Sequence, residues 1–169
     1  MVVWCPDWPV VAAGAVAGLG PQAPAAVVAA NRVVACSPAA RSEGVRRDMR
    51  RREAQSRCPE LVVFDDDPVR DARLFESVAV AVEELAVGVE VVRPGVVAVP
   101  ARGPAGYFGG EERAAERLID QVAARAGVEC QVNEVNGHAA HRLFAVGCGV
   151  GSVGVGRMRI DAELIQARR

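Results

Sequence analysis

Short apolar runs alternate with polar turns through the first third of the chain. Residues 2–7 predict a buried strand, and a small helix rich in alanine and valine follows it to about Leu19. Two apolar runs around Asn31 predict a β-hairpin. The pattern then predicts two short helices, the first capped by Ser37 and the second ended by Pro59, and a short strand with the sequence LVVF.

Two longer segments show the 3.6-residue period of helices that lie on a sheet. The first begins at Pro68 and is capped by Asp67, and the second begins near Glu111. Between them, two strands are joined by a turn with Pro94 and Gly95 at its centre, which suits a type II turn. A last strand, VECQV, follows. The two apolar stripes are Ala72, Phe75, Val78, Ala79, Val82 and Leu85, and Ala115, Leu118, Ile119, Val122 and Ala126.

The predicted order of elements indicates a fold class. Without residues 10–66, the order is strand, helix, strand, strand, helix, strand, which is the βαββαβ pattern of a ferredoxin-like fold in the α+β class. Residues 10–66 would then be a mostly helical insertion after the first strand. The glycine-rich residues 133–169 show no such stripe.

Charge is distributed unevenly, although the formal net charge is only −1. All 20 basic residues are arginines, which a GC-rich coding sequence explains most simply, although the planar guanidinium also suits phosphate contacts. Residues 41–58 hold seven arginines against three acids, and residues 65–84 hold seven acids against two arginines. Net charges of +4 and −5 predict a basic patch beside an acidic helix.

The sequence favours a cytoplasmic location. The five cysteines show no CxxC spacing, no apolar run reaches membrane-spanning length, and the N-terminus lacks the basic start of a signal peptide. We therefore expect a soluble cytoplasmic protein with free thiols and no membrane partner.

Two motifs near the C-terminus match known sites only in part. The sequence GVGSVG at 149–154 fits G-x-G-x-x-G, but too little chain follows it for the helix, strand and acid of a dinucleotide site. His138 and His141 stand near Cys130 and Cys148 without the spacing of a known zinc site. A flexible glycine-rich tail that binds no metal is the simpler interpretation.

The segment that begins at Asn31 resembles the fingers of Y-family DNA polymerases. In that family a short strand leads to a Y-x-A-R-like turn, then to G-V-x-x-G-M, E-A and a C-P or L-P ending. The matching positions are Pro38 to Arg41, Gly44-Val45, Met49, Glu53-Ala54 and Cys58-Pro59. The resemblance covers about residues 1–132 and is closest to the catalytically degenerate ImuB branch, to which VVWCPDWPVVAA and VEVVRPGVVAVPARGPAGYFGGE are similar.

This resemblance implies a domain organisation. The polymerase palm would comprise residues 1–9 and 67–132, and the fingers would comprise residues 10–66. Residues 133–169 would be a divergent tail that we expect to be poorly ordered, and our hypothesis is a truncated or frameshifted gene product. The thumb, the little finger and the clamp-binding tail of the family would then be missing.

The resemblance also implies a reduced metal site. Y-family polymerases hold two Mg²⁺ ions with one acid from the first strand and an Asp-Glu pair from the palm hairpin. Asp7 matches the first acid, as a remnant of a metal site or simply as a turn or capping residue. Gly95 and Val96 replace the hairpin pair, Pro9 replaces the second acid of the first motif, and Ala12 lies near the position of the steric gate. We therefore expect no catalytic residues and no cofactor, with Mg²⁺ only for residual polymerase activity.

Arginines are the other candidate functional residues. Arg41 matches the arginine that contacts the triphosphate in the family, although Pro38 replaces the aromatic residue beside it; a solvated surface arginine is the alternative. A basic cluster follows it and predicts contacts to the DNA backbone rather than to bases, because aromatic residues for stacking are absent there. A solvated charged face is again the alternative. The cluster consists of Arg46, Arg47, Arg50, Arg51 and Arg52.

Together these features predict a truncated, polymerase-like DNA-binding adapter of SOS damage-induced mutagenesis and translesion DNA repair, and not an enzyme. The partners that the resemblance implies are DNA, a replicative-type error-prone polymerase, other mutagenesis-complex proteins and, in the full-length family, the sliding clamp. The second interpretation is an active error-prone translesion polymerase. The third is a nucleotide-binding α/β module.

Overall fold

A computed structural model describes residues 1–133 of the chain. The GVGSVG motif, both histidines, Cys148 and the predicted tail from residue 134 onward lie outside the described residues. The elements are β1 (Val2–Trp4), α1 (Trp8–Ala17), β2 (Ala25–Ala29), β3 (Arg32–Cys36), α2 (Pro38–Ser42), α3 (Arg51–Arg57), β4 (Val62–Asp65), α4 (Pro68–Glu83), β5 (Glu90–Arg93), β6 (Val96–Ala98), α5 (Arg102–Phe108), α6 (Glu111–Ala126) and β7 (Gln131–Asn133).

The first sheet has four strands in the order β5-β6-β1-β7, and neighbouring strands are antiparallel. We call it the palm sheet. Its central residue Val3 lies opposite Val97 on one side and Val132 on the other. Helices α4 and α6 pack on it through apolar residues such as Phe75 and Leu118, which are fully buried. This arrangement is the predicted ferredoxin-like βαββαβ fold.

The second sheet lies within the predicted insertion and has the order β3-β2-β4, with β2 parallel to β4. We call it the fingers sheet. The β2–β3 hairpin turns at Ala30 and Asn31, both at positive φ as a type I′ turn requires. The predicted cap at Ser37 is confirmed, because its Oγ accepts a hydrogen bond from the amide of Ala40 at 3.2 Å. The insertion therefore contains a sheet of its own beside its short helices.

Several element boundaries differ from the prediction. The first strand ends at Trp4 rather than at residue 7, because the chain turns at Asp7, which has a left-handed conformation with φ of 51° and is the N-cap of α1. The buried stripe of α4 begins at Asp71, whereas Ala72 is exposed. Helix α5 was not predicted, because its sequence RGPAGYF is rich in residues that disfavour helices.

The four cysteines of residues 1–133 are buried and form no disulfide with one another. Burial raises the pKa of the Cys5 thiol to about 12 and that of the Cys130 thiol to about 11, so both are protonated at neutral pH. Over the same residues, no helix is both long and apolar enough to span a bilayer.

Candidate functional site

The end of β1 and the tip of the β5–β6 hairpin meet at one edge of the palm sheet. Trp4 lies opposite Val96, and the amide of Cys5 donates a hydrogen bond to the carbonyl oxygen of Gly95 at 2.8 Å. The chain then turns through Asp7 into α1. The structure therefore brings together the acid and the hairpin positions that the sequence assigned to the reduced metal site. We call this region the palm edge.

Trp8 fills the space against the hairpin tip. Its side chain is only 4% exposed, its Nε1 donates to the carbonyl oxygen of Asp71 at 2.9 Å, and its ring meets Phe75 edge-on at 5.0 Å. Gly95 has φ of +91°, and a Cβ atom added there would lie 2.8 Å from the Cβ of Trp8. Real Cβ atoms essentially never approach so closely, so this backbone has no room for an acidic side chain at position 95.

The carboxylate of Asp7 is bound by an arginine of α2. Its Oδ2 accepts a hydrogen bond from Nη1 of Arg41 at 2.6 Å, and the Asp7 side chain is 7% exposed. The same Nη1 donates to the carbonyl oxygen of Cys36 at 2.8 Å. Burial lowers the pKa of Arg41, but its hydrogen bond to Asp7 and the negative charge of Asp7 outweigh that effect, and the pKa lies above its ordinary value.

The interpretation of Asp7 as a turn or capping residue is confirmed for its backbone. Asp7 does occupy the N-cap position of α1, and its backbone carbonyl accepts hydrogen bonds from the amides of Val10 and Val11. Its carboxylate, however, makes no capping hydrogen bond.

These residues do not fit a two-metal centre. A pair of Mg²⁺ ions needs several carboxylate or other oxygen ligands at a shared position. Here Asp7 is paired with Arg41, Gly95 has no space for a side chain, and Val96 is fully buried. Among residues 1–133, no cluster of three or more His, Cys, Asp or Glu side chains could hold a metal ion.

The predicted DNA-binding arginines are all exposed, and they lie on the loop between α2 and α3 and on the first turn of α3. The backbone of this loop is held against β3. The amide of Val33 donates to the carbonyl of Met49 at 2.9 Å, and the amide of Asp48 donates to the carbonyl of Val33 at 2.8 Å. The loop therefore presents its arginines from a fixed backbone. We call these five residues the basic surface.

The members of the basic surface differ in how their guanidinium groups are engaged. Nη1 of Arg46 donates to the carbonyl oxygens of Arg41 and Val45 at 2.6 and 2.9 Å. Within the described part of the chain, the side chains of the other four make no hydrogen bond or ion pair with protein groups. These four are Arg47, Arg50, Arg51 and Arg52.

Sequence reasoning did not include Arg32 in the basic surface. It begins β3 and forms an isolated β-bridge with Arg50, and its Nη1 donates to the carbonyl oxygen of Asp48 at 2.7 Å. The predicted hairpin around Asn31 was the signal that could have placed Arg32 beside the basic surface. Arg41, in contrast, is turned toward Asp7 and Cys36 at the palm edge.

Residues 11–145 match the sequence model of the impB/mucB/samB family, abbreviated IMS. The chain belongs to this family. The IMS match includes Arg41, the basic surface and Gly95, begins after Asp7 and Trp8, and runs past residue 132, where the predicted resemblance ends. No curated protein matches the chain at a significant level.

Solved structures of Y-family DNA polymerases share the fold of this IMS chain. A Y-family DNA polymerase chimera, Dbh-Dpo4(243-245)-Dbh, matches with a TM-score of 0.66 and 14% identity over 78% of this chain and 41% of its own. DinB from Sulfolobus solfataricus matches with a TM-score of 0.64 and 14% identity over 78% of this chain and 40% of its own. A Dbh ternary complex matches with a TM-score of 0.71 and 15% identity over 94% of this chain and 48% of its own.

The predicted α+β fold of a Y-family palm and fingers is thereby confirmed. The IMS chain spans less than half of the length of these solved structures. At such low identity the similarity shows the fold alone.

Proposed function

We propose that this chain is a non-catalytic, DNA-binding adapter of the ImuB branch that acts in damage-induced mutagenesis and translesion synthesis. The observation that carries the proposal is the palm edge, where Trp8 leaves no room for a side chain at Gly95 and Arg41 pairs with Asp7. The proposed domains are a palm of residues 1–9 and 67–132 and fingers of residues 10–66, supported by the two separate sheets.

The loss of metal ligands supports the absence of catalysis. Two divalent cations stabilise the negative charge that develops in the transition state of nucleotidyl transfer by several kcal/mol. Roughly 1.4 kcal/mol corresponds to a tenfold change in rate. A carboxylate that already pairs with a guanidinium offers little to a metal ion. We therefore expect no resident cofactor, and Mg²⁺ would matter only for residual activity.

Primer extension tests this part of the proposal. The full chain is incubated with a primed template, nucleotides and either Mg²⁺ or Mn²⁺, beside the Asp7→Ala variant. We expect no incorporation by either protein above a reaction without protein. Incorporation that disappears in the Asp7→Ala variant would establish an active error-prone polymerase and overturn the proposal.

The basic surface supports DNA binding. Four arginines whose guanidinium groups have no protein partner among residues 1–133 lie on a fixed backbone and can neutralise phosphates, and each neutralised phosphate releases a counterion. Contacts to phosphates position a protein on DNA but do not read its sequence. We therefore expect binding without sequence preference and with a strong dependence on salt. Arg41, 39% exposed at its side chain, is the proposed further contact to a phosphate.

Fluorescence anisotropy across a salt series tests DNA binding. The slope of log affinity against log salt is negative, at roughly −0.9 for each phosphate contact on duplex DNA. The triple variant Arg47→Gln, Arg51→Gln, Arg52→Gln should reduce the magnitude of this slope by about two to three. The control is Arg73→Gln, Arg113→Gln, Arg117→Gln, which removes the same charge from exposed positions on α4 and α6. A flat salt dependence, or an equal change in the control, would contradict the proposal.

The role of an adapter also needs protein partners. We propose the partners of the ImuB resemblance, a replicative-type error-prone polymerase, other mutagenesis-complex proteins and a sliding clamp. Co-purification of the full chain with each partner, with and without primed DNA, tests this role. If the chain bound DNA but none of these proteins, the adapter role would be wrong and only DNA binding would be supported.

A further inference from the structure

We infer that Asp7 and Arg41 form a latch that fixes the fingers to the palm, with the guanidinium of Arg41 as the counter-cation of Asp7. The two residues are 34 positions apart in the sequence, and Nη1 of Arg41 lies 2.6 Å from Oδ2 of Asp7. Asp7 follows the central strand of the palm sheet, and Arg41 lies on α2, which packs on the fingers sheet through Ala40.

Each side of the pair is anchored in its own region. The residue after Asp7 is Trp8, which is part of the buried palm core. Nη1 of Arg41 also donates to the carbonyl oxygen of Cys36 at the end of β3. The pair therefore joins two packed structures and not two mobile loops.

Burial gives the pair its energetic weight. The Asp7 side chain is 7% exposed, so its carboxylate depends on protein partners in place of water. The Arg41 side chain is 39% exposed, so the pair as a whole is partly buried. Removal of one partner still costs more than the intact pair contributes, because the poorly solvated carboxylate of Asp7 loses a compensating charge. An exposed pair such as Arg57–Glu53, about half exposed on both sides, contributes little.

The position of the pair distinguishes it from the other ion pairs. Arg57–Glu53 lies within α3, Arg70–Asp71 joins sequence neighbours on α4, and Arg125–Glu84 joins α6 to the end of α4. Among the ion pairs of residues 1–133, Arg41–Asp7 is the one that connects the palm sheet with the fingers sheet. An acid that the family resemblance assigns to a metal would thus serve to hold two regions together.

A double-mutant cycle tests the latch in the full chain without DNA. The variants Asp7→Asn, Arg41→Gln and their combination are compared by urea unfolding. We expect Arg41→Gln to raise the unfolding equilibrium constant at least tenfold, because it leaves the Asp7 charge buried. The double variant should recover much of that loss. The control cycle, Glu53→Gln with Arg57→Gln, should change the constant less than threefold.

Native-state hydrogen exchange gives a second readout, which can be obtained from any single variant that remains folded. Asp7→Asn should speed the exchange of the amides of Ala40 and Arg41, and Arg41→Lys or Arg41→Gln should speed that of Val10 and Val11. Strictly multiplicative effects in the cycle, or faster exchange confined to the mutated segment, would overturn the latch. Neither measurement involves DNA or catalysis, so the latch and the proposed adapter role can fail separately.

Discussion

The palm edge and the basic surface hold the two groups of residues that the family resemblance selects, and the structure treats them in opposite ways. At the palm edge, Asp7 is buried and paired and position 95 is closed by Trp8. On the basic surface, all five arginines are exposed, and four have no protein partner among residues 1–133. One region has its polar chemistry satisfied internally, and the other presents its charge to solvent.

In the proposed function, one fold keeps the phosphate contacts of a family and loses its metal centre. A metal centre requires several ligands at a buried position, so one packing change there removes the whole site. Phosphate contacts are made one at a time by exposed cations, so each arginine contributes separately. Metal binding at the palm edge therefore depends on packing, whereas phosphate binding by the basic surface depends on net charge and exposure.

Gly95→Ala tests the packing of the palm edge and should have the largest effect. The added Cβ would lie 2.8 Å from the Cβ of Trp8 at a φ of +91°, so we expect a loss of about 3 kcal/mol or more in the free energy of unfolding. Gly18→Ala is the matched control, since Gly18 has φ of +64° with nothing within 4 Å of an added Cβ. It should lose about 1 kcal/mol, the cost of the left-handed conformation alone. Equal losses in urea unfolding would show that Trp8 does not close position 95.

Trp8→Phe tests the packing of the palm edge from the side of Trp8, with a smaller expected effect. Phenylalanine keeps an aromatic ring against Phe75 but removes the Nε1 donor to the carbonyl of Asp71. We expect a loss of about 2 kcal/mol from the missing hydrogen bond and the smaller ring. Trp4→Phe is the control, because Trp4 is only partly buried, and it should cost less than about 1 kcal/mol. Circular dichroism follows both, and a larger loss for Trp4→Phe would contradict the role of Trp8.

Local rules explain the parts of the fold that the sequence predicted. Asp67 accepts a hydrogen bond from the amide of Arg70 at 3.0 Å and caps α4 before Pro68, as expected. Gly95 has the positive φ that the predicted turn requires. These features depend on a few adjacent residues, so they can be read from sequence, and the order of the predicted elements then indicated the ferredoxin-like arrangement.

Contacts between distant residues explain what the sequence missed. The proximity of Gly95 to Trp8 and the pairing of Arg41 with Asp7 depend on the assembled sheets, and no local pattern encodes them. The same holds for Asp71, which is buried on α4 although a charged residue was not expected in the stripe. Its hydrogen bonds from Arg70 at 2.7 and 2.9 Å provide the compensation.

The smallest predicted effect separates two neighbours on the basic surface. The guanidinium of Arg46 already donates to the carbonyls of Arg41 and Val45, whereas that of Arg47 has no partner within residues 1–133. Arg47→Gln should therefore lower the salt slope of DNA binding by about 0.9, the value for one phosphate contact. Arg46→Gln should lower it by less than half as much, because its guanidinium is partly used within the protein.

Anisotropy titrations at several salt concentrations measure both slopes, and urea unfolding confirms that each variant remains folded. Arg73→Gln on α4 serves as the control for the loss of one exposed charge and should leave the slope unchanged. If Arg46→Gln lowered the slope more than Arg47→Gln, the intramolecular hydrogen bonds of Arg46 would not limit its contact with phosphate. The contribution of each arginine to the salt slope would then depend on its position along DNA rather than on whether its guanidinium has a partner within the protein.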